Sequence, residues 1–235
     1  MAILSSAILN ARTSHTSTLI FLHGIGNRYE YKNMKWHEIF DKIRPDHMKV
    51  VCPIAPMIPV SMFKNSLMPS WYNISDISKD GQLTYPDPEV SEDLEGLEIS
   101  TKYLQNLIDA ESNNFPNGGR SRIMIGGFSQ GAAVVINNLL KSNQTLAGCL
   151  ILSGYLAGDF APKVNHKIET PVFQIHGGAD KGVSLDKAND ASKILKEVVI
   201  NYEFKIITDL GHEVNDEELE LIRNFIYKYL PPIES

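Results

Sequence analysis

The chain contains short apolar runs in which polar and apolar positions do not alternate. Runs of this kind are typical of strands buried on both faces of a parallel sheet. Five of them predict strands, and a sixth strand is predicted near the C-terminal end of the chain. The predicted strands are Thr18–Leu22, Lys49–Cys52, Ile123–Ile125, Cys149–Leu152, Pro171–Ile175 and Tyr202–Ile207.

Between these runs, apolar residues recur three and four positions apart, which predicts helices with one buried face. Ser91 is a candidate N-cap for the longest of them. The predicted helices are Met34–Ile43, Ser91–Glu111, Gln130–Lys141, Leu185–Val198 and one that Asn215 opens and Pro231 ends. Strands and helices thus alternate without a linker or repeat. The pattern predicts an α/β fold with a mostly parallel central sheet, helices on both faces and a single domain over 1–235.

One stretch, Pro53–Pro88, departs from this alternation. Six prolines interrupt it, yet methionines and aromatic residues keep it apolar. Flexible thioethers beside flat rings suit a pliable apolar groove. The candidate groove residues are Met62, Phe63, Leu67, Met68 and Trp71. The alternative is a loop that its apolar side chains merely pin to the core, and the pattern leaves both interpretations open.

The composition narrows the class of partner. The 235 residues are 43% hydrophobic and 21% charged, with a formal net charge of −6. An acidic chain lacks the basic surface that nucleic acid requires, so we expect no nucleic-acid partner. No apolar run reaches the length of a membrane span, and the N-terminus lacks the basic region of a secretory signal. We therefore expect no stable membrane insertion and a cytoplasmic location, with the nucleus as a second candidate; the composition leaves the oligomeric state open.

The segment Gly127-Phe128-Ser129-Gln130-Gly131 fits the G-x-S-x-G nucleophile elbow of α/β-hydrolases. In that motif a serine sits on a strained strand-to-helix turn with its hydroxyl above the sheet. The flanking glycines avoid collisions with the neighbouring strand and helix. The alternative is an ordinary strand–turn–helix corner.

A serine hydroxyl needs a base, and the base needs a carboxylate to fix its tautomer. In α/β-hydrolases these follow in the order serine, acid, histidine, each on a loop after a strand. Of seven histidines, His212 follows the last strand and precedes the last helix. Asp180 lies in the tight turn after the preceding strand, and Asp209 is a rival acid too near His212 in sequence. Order and position thus select Ser129, Asp180 and His212.

Acyl transfer also needs donors for the developing oxyanion. The backbone N–H of Gln130, directly after the serine, is one candidate. The second is expected in the loop after an early strand, where the glycine-rich turn Gly24-Ile25-Gly26 selects the Ile25 N–H. His23 is then expected to anchor this loop. The chemistry needs no metal or cofactor, and we expect none.

Taken together, these motifs resemble the acyl-protein thioesterases of the phospholipase/carboxylesterase family, and the fungal members in particular. The matching stretches are Phe21–Gly26, Met68–Tyr72, Gly126–Ala132, the His176–Asp180 turn and Gly211-His212. The resemblance implies an α/β-hydrolase that removes palmitate from S-acylated cysteines of proteins and often cleaves lysophospholipids or small esters. It also implies that the Met- and Trp-rich stretch shapes an acyl channel.

Three positions depart from the family pattern, namely Asn27, Gly178 and Lys181, where the family usually has Asp, Asp and Pro. None of them is a member of the serine, acid and histidine set. Two alternatives to a thioesterase remain. One is a broad carboxylesterase or lysophospholipase acting on oxyesters, and the other is a lipid-binding module whose serine is not activated.

Overall fold

A seven-stranded sheet is the central element of the fold. The structure is a computed structural model that describes residues 5–26, 35–74, 93–116, 119–157 and 164–233. Within these ranges nine strands form, seven in the sheet and two in a separate hairpin. They are β1 (Ser6–Leu9), β2 (Ser17–Leu22), β3 (Met48–Pro53), β4 (Met57–Val60), β5 (Ser66–Pro69), β6 (Ile123–Phe128), β7 (Gly148–Leu152), β8 (Val172–Gly177) and β9 (Tyr202–Ile207).

The strand order in the sheet is β1-β3-β2-β6-β7-β8-β9. Only β1 runs antiparallel, against β3; the remaining neighbours are parallel. The interior strands β2, β6, β7 and β8 are buried at every residue, as their apolar runs require. Because these strands point the same way, their carboxyl ends lie together at one end of the strands, where ligands bind in folds of this class.

Five helices cover the sheet within the described part of the chain. They are α1 (Trp36–Ile43), α2 (Leu94–Ser112), α3 (Gln130–Lys141), α4 (Leu185–Val198) and α5 (Asp216–Tyr229). One apolar core lies between the sheet and α2, α3 and α4. A second core lies on the opposite face beneath α1 and α5. The predicted α/β architecture with helices on both faces is confirmed; that 1–235 form one domain stays a prediction.

The structure adds two features that the hydrophobic pattern did not predict. Strand β1 pairs at the sheet edge, where half-exposed residues give only a weak apolar signal. The proline-rich stretch contains the antiparallel hairpin of β4 and β5, with Pro59 opposite Leu67. A two-stranded ribbon has an unpaired edge on each side, so a proline that lacks an N–H is tolerated there.

Two helix starts also differ from the prediction. Helix α1 begins at Trp36, and its predicted start, Met34, lies outside the described residues. Helix α2 begins at Leu94, and Asp93 is its N-cap, with the carboxylate accepting from the Gly96 N–H at 2.8 Å. The predicted cap, Ser91, lies outside the described residues. Every helix in the described ranges is too short or too polar to cross a lipid bilayer.

Candidate active site

The turn between β6 and α3 holds Ser129 in an unusual backbone conformation. Its φ is 54° and its ψ is −119°, in a region that residues with a side chain rarely adopt. The two flanking glycines permit this turn. A Cβ on Gly127 would lie 2.5 Å from the Gly131 carbonyl carbon, and one on Gly131 would lie 2.4 Å from the Leu22 oxygen. The serine therefore sits at the N-terminus of α3, where the helix dipole favours negative charge.

Ser129 is the first member of a continuous chain of hydrogen bonds. Its Oγ lies 3.0 Å from His212 Nε2, and His212 Nδ1 lies 2.8 Å from Asp180 Oδ2. Ser129 is 1% exposed, whereas the His212 side chain keeps 29% of its surface exposed. Asp209, the rival acid, is exposed to solvent. The structure thus brings together the three residues that the chain order selects.

The two oxygens of Asp180 have separate partners. Oδ1 accepts from the backbone N–H groups of Gly182 and Val183, both at 2.8 Å, while Oδ2 faces His212. Burial alone would raise the pKa of Asp180, but the hydrogen bond from His212, its charge and the backbone donors outweigh it and lower this pKa. An ionised Asp180 keeps the proton of His212 on Nδ1, which leaves Nε2 free to accept the serine proton.

The loop after β2 lies directly against the serine. A Cβ on Gly24 would be 3.3 Å from Ser129 Cβ. His23 fixes this loop, because its Nε2 accepts from the Ala55 N–H at 3.0 Å and its Nδ1 donates to the Gly24 carbonyl at 2.6 Å. Burial lowers the pKa of His23 to about 4, so the ring is neutral at pH 7. His23 is an anchor of the loop that carries Ile25, as the sequence leads us to expect.

The side chain of Gln130 makes a network that sequence reasoning missed. Its Oε1 accepts from Trp71 N at 3.0 Å and from Ser70 Oγ at 3.2 Å. Its Nε2 donates to the Tyr72 carbonyl at 2.8 Å and to Ser70 Oγ at 3.0 Å. The Trp71 indole N–H in turn donates to the His23 carbonyl at 2.8 Å. A fully buried amide therefore ties the elbow to the 70–72 segment, and through Trp71 to the loop of His23.

Two further ionisable residues lie behind the site, and the sequence analysis assigned neither of them a role. His176 is fully buried, its Nε2 donates to the Val183 carbonyl at 2.9 Å, and it lies 3.6 Å from Asp180 Oδ2. Glu218 is 1% exposed, and burial, aided by the negative charge of Asp180, raises its pKa to about 8. A capping-box spacing at Asn215 is the only sequence signal for Glu218, since burial depends on the fold.

The five candidate groove residues fall into different environments. Phe63 and Met68 are partly buried and pack on the same core as Ile25. Met62 and Trp71 are buried, at 8% and 2% exposure. Leu67 lies on β5 and is 64% exposed. Phe63, Met68 and Ile25 thus pack on the same core, and Met68 also lies near the loop after β2, because its Sδ would be 3.9 Å from a Cβ on Gly26, whereas Leu67 faces solvent.

Of the three positions that depart from the family pattern, Asn27 lies outside the described residues. Gly178 follows β8, where an added Cβ would lie 2.5 Å from the Thr208 oxygen, so the close approach of these two segments accounts for a glycine. Lys181 is exposed on the Asp180 turn. Neither described departure disturbs the hydrogen bonds between Asp180 and His212. Within the described ranges, no cluster of three or more metal-ligating side chains occurs.

The site has a nucleophile elbow at the carboxyl ends of the parallel strands, with an imidazole and a carboxylate in line behind it. Serine hydrolases with the α/β-hydrolase fold have this arrangement. The comparisons with known proteins agree. The chain belongs to the phospholipase/carboxylesterase family, whose family model matches residues 4–230. It is accordingly an enzyme that hydrolyses esters or thioesters.

Individual relatives match over nearly the whole chain. Acyl-protein thioesterase 1 homolog 1 of Dictyostelium discoideum is 35% identical, over 97% of this chain and 96% of the relative. Acyl-protein thioesterase 1 of Neurospora crassa is 32% identical, over 96% of this chain and 92% of the relative. The crystal structure of Zea mays acyl-protein thioesterase 2 superimposes with a TM-score of 0.75 at 25% identity, covering 96% of this chain and 99% of that one.

Proposed function

We propose that this enzyme cleaves acyl thioesters and removes palmitate from S-acylated cysteines of proteins, through an acyl-enzyme on Ser129. The observation that carries the mechanism is the unbroken hydrogen-bonded chain Ser129–His212–Asp180. The thioester substrate is supported by the similarity to acyl-protein thioesterases from a slime mould and a fungus. The identity of the substrate as palmitate on protein cysteines is the more specific part of this proposal.

The first half of the reaction forms the acyl-enzyme. Ser129 Oγ attacks the thioester carbonyl while His212 Nε2 takes its proton, and the N–H groups of Ile25 and Gln130 bind the oxyanion. Collapse of the tetrahedral intermediate breaks the C–S bond. His212 returns the proton to the departing cysteine sulfur, which leaves as a thiol. Asp180 stabilises the imidazolium between these two transfers.

The second half uses water. His212 takes a proton from a water molecule, which attacks the acyl carbonyl of the ester on Ser129. The new oxyanion occupies the same two N–H groups, and His212 then protonates Ser129 Oγ as the C–O bond breaks. The products are a free fatty acid and the regenerated serine. Oxygen and hydrogen balance with water as the only co-reactant.

The acyl chain is proposed to bind along Met62, Phe63, Leu67, Met68 and Trp71. This placement is supported by the packing of Phe63 and Met68 on the core that also contacts Ile25. The free energy gained per buried methylene is about 0.8 kcal/mol, which is about fourfold in kcat/KM for each CH₂ that enters an apolar channel. A long channel therefore predicts a steep rise in kcat/KM with chain length.

A broad carboxylesterase or lysophospholipase is the second candidate, favoured by the description of the matched family. A chain-length series of matched thioesters and oxyesters separates the two. Rates that rise from short to long acyl chains, with thioesters preferred, support depalmitoylation. Rates that peak at short oxyesters refute it and favour the carboxylesterase.

Two controls complete this experiment. Ser129→Ala must abolish turnover of every substrate in the series, and residual activity on any of them assigns that activity to another residue. A fluorophosphonate probe must label the native protein and fail to label Ser129→Ala, because the reagent needs an activated serine. Absence of labelling would instead support a lipid-binding module. The cytoplasmic location stays a prediction, which microscopy of the tagged protein tests.

A further inference from the structure

The last strand of the sheet, β9, has an outer edge with which no described strand pairs. The Val172 N–H donates to the Asn201 carbonyl and the Gly178 N–H donates to the Ile207 carbonyl, so the odd-numbered residues direct their backbone groups toward β8. Backbone groups alternate along a strand. Tyr202, Phe204 and Ile206 therefore direct their N–H and C=O groups outward.

A groove with a mixed polar and apolar lining runs along the same edge. It lies between β9 and the end of α4, with a volume of about 480 Å³. Its apolar lining includes Phe204, Ile200 at 66% exposure and Ile206 at 40% exposure, and Lys196 gives it a polar border. An edge strand with unpaired backbone beside exposed aliphatic side chains is a template for another strand.

The sequence of this edge is complementary to itself. In an antiparallel pair of two β9 strands centred on Phe204, Glu203 of each copy stands opposite Lys205 of the other, and Tyr202 opposite Ile206. Tyr202, Phe204 and Ile206 direct their backbone groups outward. The Phe204–Phe204 and Tyr202–Ile206 pairs are therefore the ones that exchange hydrogen bonds. Glu203 and Lys205 then occupy the non-hydrogen-bonded pairs, where facing Cα atoms are only about 4.5 Å apart and side chains are closest.

Charge also selects this register against its neighbours. Shifting the pairing by one step in either direction centres it on Glu203 or on Lys205, which places two like charges directly opposite each other. Opposite charges in facing positions stabilise a strand pair, and like charges destabilise it. Among the described residues Lys205 forms an ion pair with Glu217 at 3.8 Å, and its side chain stays 46% exposed.

We propose that a second copy of this chain binds the outer edge of β9. The two β9 strands then pair antiparallel about a two-fold axis at Phe204, and this pairing joins the two sheets into one. Such an interface is isologous, because the same strand serves both sides. It buries Ile200 and Ile206 and satisfies the outward backbone groups of both copies. The proposal is independent of the catalytic assignment, since β9 contributes no residue to the serine, histidine and aspartate set.

Charge reversal tests the pairing. The native protein is expected to be a dimer by sedimentation velocity or light scattering. Glu203→Lys and Lys205→Glu should each weaken dimerisation by about 10- to 100-fold, because each converts two attractive pairs into two repulsive ones. The double variant Glu203→Lys/Lys205→Glu should recover the dimer. An equimolar mixture of the two single variants should form heterodimers, since their charges are then complementary.

Lys102→Glu on α2 is the matched control for Lys205→Glu, because it makes the same change in net charge away from β9. Hydrolytic activity of each variant reports that the fold is retained. A native protein that stays monomeric at its highest soluble concentration overturns the proposal. Glu203 and Lys205 would then be edge-strand charges that prevent pairing with another strand. A native dimer that neither single variant weakens also overturns it, because the interface then lies elsewhere.

Discussion

The separate partners of the two Asp180 oxygens predict the effect of one conservative substitution, Asp180→Asn. Oδ1 receives two backbone N–H groups, from Gly182 and Val183, so an acceptor must occupy that position. The asparagine amide oxygen therefore takes the Oδ1 place, and its NH₂ group takes the place of Oδ2. The amide NH₂ and His212 Nδ1–H then face each other as two donors.

His212 can relieve this conflict only by moving its proton from Nδ1 to Nε2. In that tautomer Nε2 donates to Ser129 Oγ and cannot accept the serine proton. Flipping the amide instead would leave two buried backbone donors without acceptors, at about 1–3 kcal/mol each, so the productive orientation is populated at roughly 3% or less. The expected loss in kcat is at least about 30-fold, and it approaches about 10⁴-fold if only the wrong tautomer forms, as with the equivalent change in a serine protease.

The assay is steady-state hydrolysis of a soluble thioester by native enzyme, Asp180→Asn and Asp209→Asn. The loss is expected in kcat with KM little changed, because Asp180 does not contact the substrate in this arrangement. Asp209→Asn removes the rival carboxylate, which is exposed, and should retain native kcat. The reasoning is refuted if Asp180→Asn keeps more than a third of native kcat while its thermal transition is unchanged.

Three further predictions concern the elbow and the buried groups around it. Ser129→Gly should have a higher melting temperature than Ser129→Ala, although both variants are inactive. Glycine relieves about 1–3 kcal/mol of strain at φ 54°, and the greater entropy of its unfolded chain offsets only about 0.5–1 kcal/mol. Equal melting temperatures would contradict the inferred strain. Gln130→Met should lower the free energy of unfolding in urea by about 1–3 kcal/mol, because the buried Trp71 N–H loses its acceptor, and it should reduce kcat more than it raises KM. Because the pKa of Glu218 is raised to about 8, the native state keeps a proton on this carboxyl that the unfolded state loses above about pH 4.3. The free energy of unfolding therefore falls as the pH rises toward about 8. Glu218→Gln should therefore raise the melting temperature relative to the native protein increasingly between about pH 5 and pH 8, and a difference that does not vary with pH would contradict this assignment.

The parts of the fold that the sequence predicted well are those with a regular pattern of apolar positions. The predicted bounds of α4 and β9 coincide with those in the structure, because a periodic apolar face and a short alternating run each have clear ends. The strand β1 and the β4–β5 hairpin were missed. Their residues are half-exposed or include prolines, and they are strands only because a neighbouring strand supplies the hydrogen bonds.

The candidate site divides in the same way. Ser129, Asp180 and His212 could be selected from order along the chain, because parallel strands deliver successive loops to the same edge of the sheet. The lowered pKa of His176 and the raised pKa of Glu218, each caused chiefly by burial, could not be predicted. Both depend on which groups surround a side chain in three dimensions, and residues distant in the chain supply those groups.

Gln130 shows why a motif predicts a backbone more readily than a side chain. The elbow geometry alone makes the Gln130 N–H the proposed oxyanion donor, whatever side chain this residue carries. Its side chain, however, meets a backbone donor from Trp71 and a backbone acceptor from Tyr72 in a fully buried place. An amide side chain supplies both a donor and an acceptor without charge, so glutamine satisfies both groups where glutamate or methionine would leave one or both unpaired. Because Trp71 also donates to the His23 carbonyl, this amide helps to hold the loop of Ile25 against the serine, and the two proposed oxyanion donors are positioned through one residue.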